Sequence, residues 1–445
     1  MKVRLAVAVA IFAAGLAHAA TAAAQPPASQ PPLSITVDEA IARALASSHR
    51  IEEASARHEA SEAVTAGRRA AMRPQISTSA GYTNTNHVEP FGIQLPNNQF
   101  RVIYPDIPNN YRSRLDIQYP LYTGGRLDAL MAAARKESEA STNDVDAVTS
   151  DIRLEVTRSF WNLVVAGDSS RVLAESLARM DAHLRDVRNQ LAAGLVPPSD
   201  VLSVEAQASR QRMLSIQARS ARDVAEAELA RLIDAEPGTP IQPNAVLEPV
   251  GIDTTFDSLL AQARELRRDR EAILDRLAGA DLRVQAAAAG KRPLIAVGGG
   301  LDYARPNPRI FPRQSVWQES WDANVNISWP VFDGGRTSAE VAEAAASRRA
   351  LQARLDELDS TISLEIRQRI AEIQASRAAI AAAEDSVRAA TEAQRVISDR
   401  FQAGVATSTD VLDAQIAVLQ ASLDRTQALA NAHLADARLH RAVGQ

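Results

Sequence analysis

Two aspartates one helical turn apart, Asp410 and Asp413, are the residues of this 445-residue chain whose spacing most invites chemistry. At i and i+3 they share one helical face, and paired carboxylates on one face draw cations. The competing reading is local, with Asp410 acting as the N-cap of the helix that begins there. Other chemistry is thin. The chain has no cysteine, so disulfides, Cys-based zinc sites and thiol catalysis are excluded together. The seven histidines, at 18, 49, 58, 87, 183, 433 and 440, are scattered without metal-ligand spacing. Val297-Gly-Gly-Gly300 lies within an expected strand and is not followed promptly by a helix, so it is no nucleotide loop. No nucleophile–base constellation is visible. The expectation is a protein without catalysis, cofactor or metal.

The aspartate pair belongs to a turn that occurs twice. Ala193-Gly-Leu-Val-Pro-Pro-Ser-Asp-Val-Leu202 returns 210 positions later as Ala403-Gly-Val-Ala-Thr-Ser-Thr-Asp-Val-Leu412. The same shift carries Tyr119-Pro-Leu-Tyr-Thr-Gly-Gly-Arg126 onto Trp329-Pro-Val-Phe-Asp-Gly-Gly-Arg336. The 66 positions between the motifs are conserved in number in both copies. A packed helix that gains a residue rotates its whole apolar face, whereas loops absorb length changes. The spacing therefore predicts two equal rods, at about 126–193 and 336–403, each followed by a helix at about 199–234 and 408–443. Between Arg336 and Ala403 there is neither Gly nor Pro, and Leu355, Leu358, Ile362, Ile366, Ile370 and Ile373 keep one stripe. Sixty-odd helical residues reach about 100 Å, and so thin a stripe needs partner helices.

Ahead of each rod the period changes to two. From Trp317 to Phe332 one face carries Trp317, Trp321, Val325, Ile327 and Trp329, and the other Asp322, Asn324 and Asn326. Tyr111–Tyr122 repeats this, with Leu115, Ile117 and Tyr119 opposing Arg112, Arg114 and Asp116. Strands are expected at about 75–86, 111–122, 294–303 and 317–332. A soluble sheet with one buried face alternates in the same way as a membrane-barrel strand. Aromatic rings at both ends of the band favour the membrane, with Tyr119, Trp317, Trp321 and Trp329 as interface residues. The glycine pairs Gly124-Gly125 and Gly334-Gly335 suit a sharp change of direction between strand and rod.

The first 24 residues read as a removable secretory signal, with a basic tip, a short apolar run and Ala-rich cleavage sites. Loss of Lys2 and Arg4 moves the formal charge from −5 to −7, and nothing suggests nucleic-acid binding. No later stretch is long and apolar enough for a transmembrane helix. A Pro-rich leader at 25–36 precedes the first repeat, 37–235; a linker at 236–252 separates it from the second, 253–445. Four transmembrane strands cannot close a barrel alone, so several chains must supply the rest.

Together the signal, the duplicated helix–strand–strand–helix units, the Gly-Gly-Arg joints and the Gly-x5-Asp-Val-Leu turns resemble the TolC-type outer membrane efflux family over essentially the whole mature chain. The resemblance implies a mainly α fold with a membrane β-barrel portion, assembled as a homotrimer among outer membrane lipids. Its helices would form a tunnel through the periplasm, docked on a periplasmic adaptor and an inner-membrane transporter for efflux or type I secretion. It further implies that Gly194-Leu195-Val196 and Gly404-Val405 form adaptor-contacting knobs and that Asp410 and Asp413 line the entrance. A ring of six carboxylates there would favour cations and raise some carboxyl pKa values by mutual repulsion. For Asp200 the capping role is the expectation, because Ser203 stands where the second turn has Asp413. The chain departs from the family's latch residues, having Phe401 and Ala406, which leaves Arg395 or Arg400 as candidates. The competing class is a secreted coiled-coil scaffold or adaptor.

Overall fold

The computed structural model describes residues 32–236, 238–245 and 255–445. The expected signal peptide, most of the leader and the second part of the linker lie outside them. In chain order the elements are β1 (Leu33–Ile35), α1 (Val37–Ser47), α2 (His49–Ala70), β2 (Gln75–Asn84), β3 (Phe91–Gln94), β4 (Phe100–Tyr104) and β5 (Asn109–Tyr122). Next come α3 (Arg126–Ala192), α4 (Pro198–Leu232) and β6 (Ile241–Pro243). The second half holds α5 (Phe256–Leu266), α6 (Arg268–Ala288), β7 (Leu294–Arg305), β8 (Gln318–Ser328), α7 (Arg336–Gln402) and α8 (Ser408–Val443).

The two long rods, α3 and α7, have 67 residues each, about 100 Å. Beside residues 133–155, α3 packs on α2 through His58 to Ser141 and Arg50 to Glu155, and on α6 through Arg276 to Glu137 and Asp144 and Lys136 to Asp275. Nearer its end it lies between α4 and α8. Each rod buries apolar residues against a short helix: Val156, Phe160 and Leu163 meet α1, and Ile362 and Ile366 meet α5. The Pro-free stretch from Val37 to Arg73 forms two helices that break at Ser48, and its counterpart in the second repeat breaks at Arg267, each with ψ near 113°. Neither break carries Pro or Gly. Burial decides it: Ala40 and Ala44, like Leu259 and Ala263, must turn onto a rod that runs in a different direction. Arg267, 7% exposed, sits in the second break between Asp269 and Glu365.

Four strands form one antiparallel sheet in the order β2-β5-β7-β8, with β2 and β8 as open edges. The register sets Leu115, Leu301 and Trp321 in one row, and Asp116, Gly300 and Asp322 in the next. One face is thus apolar and almost wholly exposed, and the other is polar. The last strand ends at Ser328, short of the expected 332, because Pro330 has no N–H for the ladder. Two pairings were not expected. β1 and β6 form a parallel pair of three residues each. The loop 87–110 also holds the β3–β4 hairpin, which accounts for part of its greater length over the 304–316 loop. Among the described residues no helix is long and apolar enough to cross a membrane.

Candidate functional site

The two turns, far apart in sequence, meet at one end of the helices. Val196 of the first and Phe401 beside the second pack on one cluster containing Met180, Val187, Val201, Val204 and Leu412. Their backbones agree closely: Gly194 and Gly404 have φ of 73° and 72°, the left-handed region that glycine enters without strain. In each, the residue after the glycine donates its N–H to the carbonyl five residues back, Leu195 to Gln190 and Val405 to Arg400. Leu195 and Val405 point outward at 75% and 66% exposure.

The helix starts differ. Thr407 is the N-cap of α8, and its hydroxyl accepts from the Asp410 amide at 3.2 Å. The Asp410 carboxylate in turn accepts from the Thr407 amide at 2.8 Å, completing a capping box. So Asp410 is the third helical residue, not the cap. Its carboxyl is held below the usual aspartate value by the Thr407 amide and then the Thr407 hydroxyl. Within one chain this runs opposite to the expected rise. Asp413 is exposed on the same helix. In the first turn Pro197 occupies the cap and offers no side-chain hydrogen bond. Asp200 therefore does not cap α4 either; among the described residues its carboxylate accepts only from its neighbour Ser199, at 3.2 Å.

Sequence reasoning passed over His183. This α3 residue is 6% exposed, with Nε2 2.8 Å from Oγ of Ser408, the first residue of α8. Phe401 packs edge-on against its ring at 5.3 Å. Burial pushes its pKa below the ordinary histidine value, opposed by the nearby Asp186 carboxylate. Arg395, a candidate latch, is taken up by Glu392 and Asp399 of its own helix. Only geometry could have found His183, since no local motif marks it.

At the other end, Gly124, Gly125, Gly334 and Gly335 all have φ between 65° and 90°. They turn the chain out of β5 and β8 into α3 and α7. A side chain before each pair caps the rod. Thr123 Oγ accepts from the Leu127 amide at 3.4 Å. Asp333 accepts from the Thr337 hydroxyl and from the Thr337 and Gly335 amides at 2.9 and 3.0 Å, bonds that, in that order, bring its pKa down to about 2.

Trp317 and Trp329 flank β8 one residue outside either end. Twelve residue steps separate them, which at ~3.3 Å each and barrel tilt span about 30 Å of height, close to a hydrocarbon core. Trp317 joins Tyr303 and Tyr111 at 4.9 and 6.0 Å, and Tyr111 joins Tyr82 at 5.0 Å. Those three tyrosines are further members of the aromatic set. Trp321 lies within the band, and Tyr119 is half-buried near the joint. On the polar face Arg114 reaches across β7 to Asp302 and, at 2.9 Å, to Asp322 on β8. Gly300 leaves the room: an added Cβ would meet the Arg114 guanidinium.

The family described as "Outer membrane efflux protein" matches residues 40–235 and 259–445. Protein CyaE of Bordetella pertussis is 26% identical over 409 residues, covering 88% of this chain and 82% of its own. Outer membrane protein TolC of Vibrio cholerae is 23% identical, covering 88% of this chain and 86% of its own. Among solved structures, the outer membrane protein VceC of Vibrio cholerae is 20% identical and superposes with a TM-score of 0.76, covering 92% of this chain and 96% of its own. The chain belongs to the outer membrane efflux protein family, as an outer membrane channel for efflux or secretion that reaches into the periplasm.

Proposed function

We propose that three copies of the chain close their four-strand sheets into a single twelve-strand barrel, and that the helices continue it as a tunnel ending at the two turns. The supporting observation is the pair of open edges, β2 and β8, on a sheet whose outer face is apolar. Unpaired backbone groups cost several kcal/mol each in hydrocarbon, so such a sheet needs partners on both sides. In this reading residues 37–235 and 253–445 are the two repeats around a 236–252 linker. The glycine pairs are their joints, and Tyr119, Trp317, Trp321 and Trp329 lie toward the lipid.

The channel is a passive conduit without catalysis. It receives cargo from a periplasmic adaptor and an inner-membrane transporter in a tripartite system. Gly194-Leu195-Val196 and Gly404-Val405 form the adaptor-docking tip, supported by the outward apolar Leu195 and Val405 on fixed glycine turns. Asp410 and Asp413 line the entrance, where three copies bring six carboxylates together and favour cations.

The experiment is fractionation followed by reconstitution. The protein should require detergent, run at three times the mass of the mature chain on mild gels, and conduct in planar bilayers. A crosslinker placed at Val196 or Val405 should capture an adaptor. A detergent-free monomer without conductance would favour the coiled-coil scaffold instead.

A further inference from the structure

The duplication extends into strand pairing. In the first hairpin Gln75 lies opposite Gln118 and Ile76 opposite Ile117. In the second, Leu294 lies opposite Ser328 and Ile295 opposite Ile327. Shifting β2 by 219 positions and β5 by 210 turns the first set of pairs into the second, so the hairpins share one register. A different contact joins hairpin to hairpin where β5 meets β7, with Gln118 opposite Gly298 and Leu115 opposite Leu301. Within the chain this contact is made once, and the open edges β8 and β2 are the equivalents of β5 and β7.

We propose that β8 of one copy pairs with β2 of the next in the register of the β5–β7 contact, so that Ser328 faces the partner's Ser79, Val325 faces the partner's Tyr82, and the partner's Arg73 clasps the Gly334 joint. The occupant is a second copy of this chain, and the inference rests on the trimer reading above. This register keeps Ser328 with the partner's Ser79 on the polar face and Val325 with the partner's Tyr82 on the apolar face. A slip of one residue would invert both rows and turn charge toward lipid.

The clasp has its own support. Arg292, just before Pro293, donates from Nη1 to the Gly124 carbonyl at 2.7 Å. Its stem lies so close that an added Cβ on Gly124 would stand 2.7 Å from the Arg292 Cβ. Arg73 precedes Pro74 in the same way, and the shift of 219 carries it onto Arg292. Yet Arg73 is exposed, and its side chain makes no hydrogen bond or ion pair among the described residues. Gly334 shares the φ of 65° with Gly124 but has open space where the equivalent of Arg292 would lie. Each open edge thus carries one half of a contact that is complete inside the chain.

The chain has no cysteine, so introduced pairs report only on each other. Positions 79 and 328 stand at opposite edges of one sheet, three strand spacings apart and eight residues out of row, since the row through Ser79 runs by Arg114 and Asp302 to Ser320, so within one chain they lie far beyond disulfide reach. Full-length protein carrying Ser79→Cys and Ser328→Cys, oxidised in outer membranes, should yield reducible covalent dimers and trimers. The pair Ser77→Cys and Ser328→Cys, two residues out of register, should yield about tenfold less. Tyr82→Cys with Val325→Cys provides an independent pair should the first assemble poorly. Equal yields in and out of register overturn the proposed pairing. Absent crosslinks in oligomers that persist on mild gels overturn the pairing but leave the trimer reading intact, whereas monomers overturn both. Arg73→Ala should lower the temperature at which the oligomer dissociates by several degrees, and Arg73→Lys should restore part of it; an unchanged temperature overturns the clasp.

Discussion

The two turns at the helix ends share one backbone and differ in nearly every side chain that matters. Gly194 and Gly404 adopt the same conformation, yet the first turn enters α4 through Pro197 and the second enters α8 through a Thr407–Asp410 capping box. Leu202 and Leu412 are equivalent by the shift of 210, but Leu202 is 64% exposed and Leu412 only 7%. The duplicated backbone makes a repeated hairpin. Side-chain divergence gives the second hairpin a packed leucine, a capped helix start and two exposed or capping aspartates, and leaves the first with an exposed leucine and no side-chain cap.

The largest expected effect comes from the leucines. Leu412→Ala should destabilise the tip by about 2–4 kcal/mol, as buried leucines do, while Leu202→Ala should cost the subunit's own packing about 0.5 kcal/mol or less. Rates of limited proteolysis across the two turns in urea measure both, and equal losses would erase the distinction. Removing the cap comes next. Thr407→Ala should fray the start of α8 by about 1 kcal/mol, and Pro197→Thr should confer part of that on α4. Hydrogen exchange at residues 199–203 and 409–413 reads each change.

The smallest effect is one of pH. The His183 ring is buried and its pKa is lowered by that burial, so the folded contact holds fewer protons than the open one. The charge acting on the ring is that of Asp186 on its own helix, which opposes the shift. Stability is then full above the ordinary histidine value of 6.5 and falls as pH drops through it toward the lowered value. Exchange at the start of α8 should rise as the pH drops below about 6.5 in the native protein, and His183→Asn should flatten that slope. A slope that survives in His183→Asn assigns it to other groups.

Much of this was legible in the sequence, because period and spacing are local properties. The alternation at Leu115, Ile117 and Tyr119 survives any register, and an uninterrupted Gly- and Pro-free run from 336 to 403 has little choice but helix. What stayed hidden depends on partners distant in sequence. The breaks at Ser48 and Arg267 follow from burial against the rods, not from breaker residues. The Arg114–Asp302–Asp322 bridge needs the strand order, and the bond from His183 to Ser408 joins residues 225 positions apart. Asp410 was singled out for charge, while the cap expected at it lies three residues earlier: the cap is Thr407, and the aspartate answers it from the third helical position.

The central claim is that the acidic second turn, and not its first-repeat twin, sets the ionic character of the entrance. Planar-bilayer recordings on Asp410→Ala with Asp413→Ala, beside Asp200→Ala, test it most directly. The double substitution should abolish most cation selectivity and weaken multivalent-cation block by about tenfold or more, with Asp200→Ala close to the native channel. Unchanged selectivity in the double variant, or an equal loss in Asp200→Ala, would contradict the account.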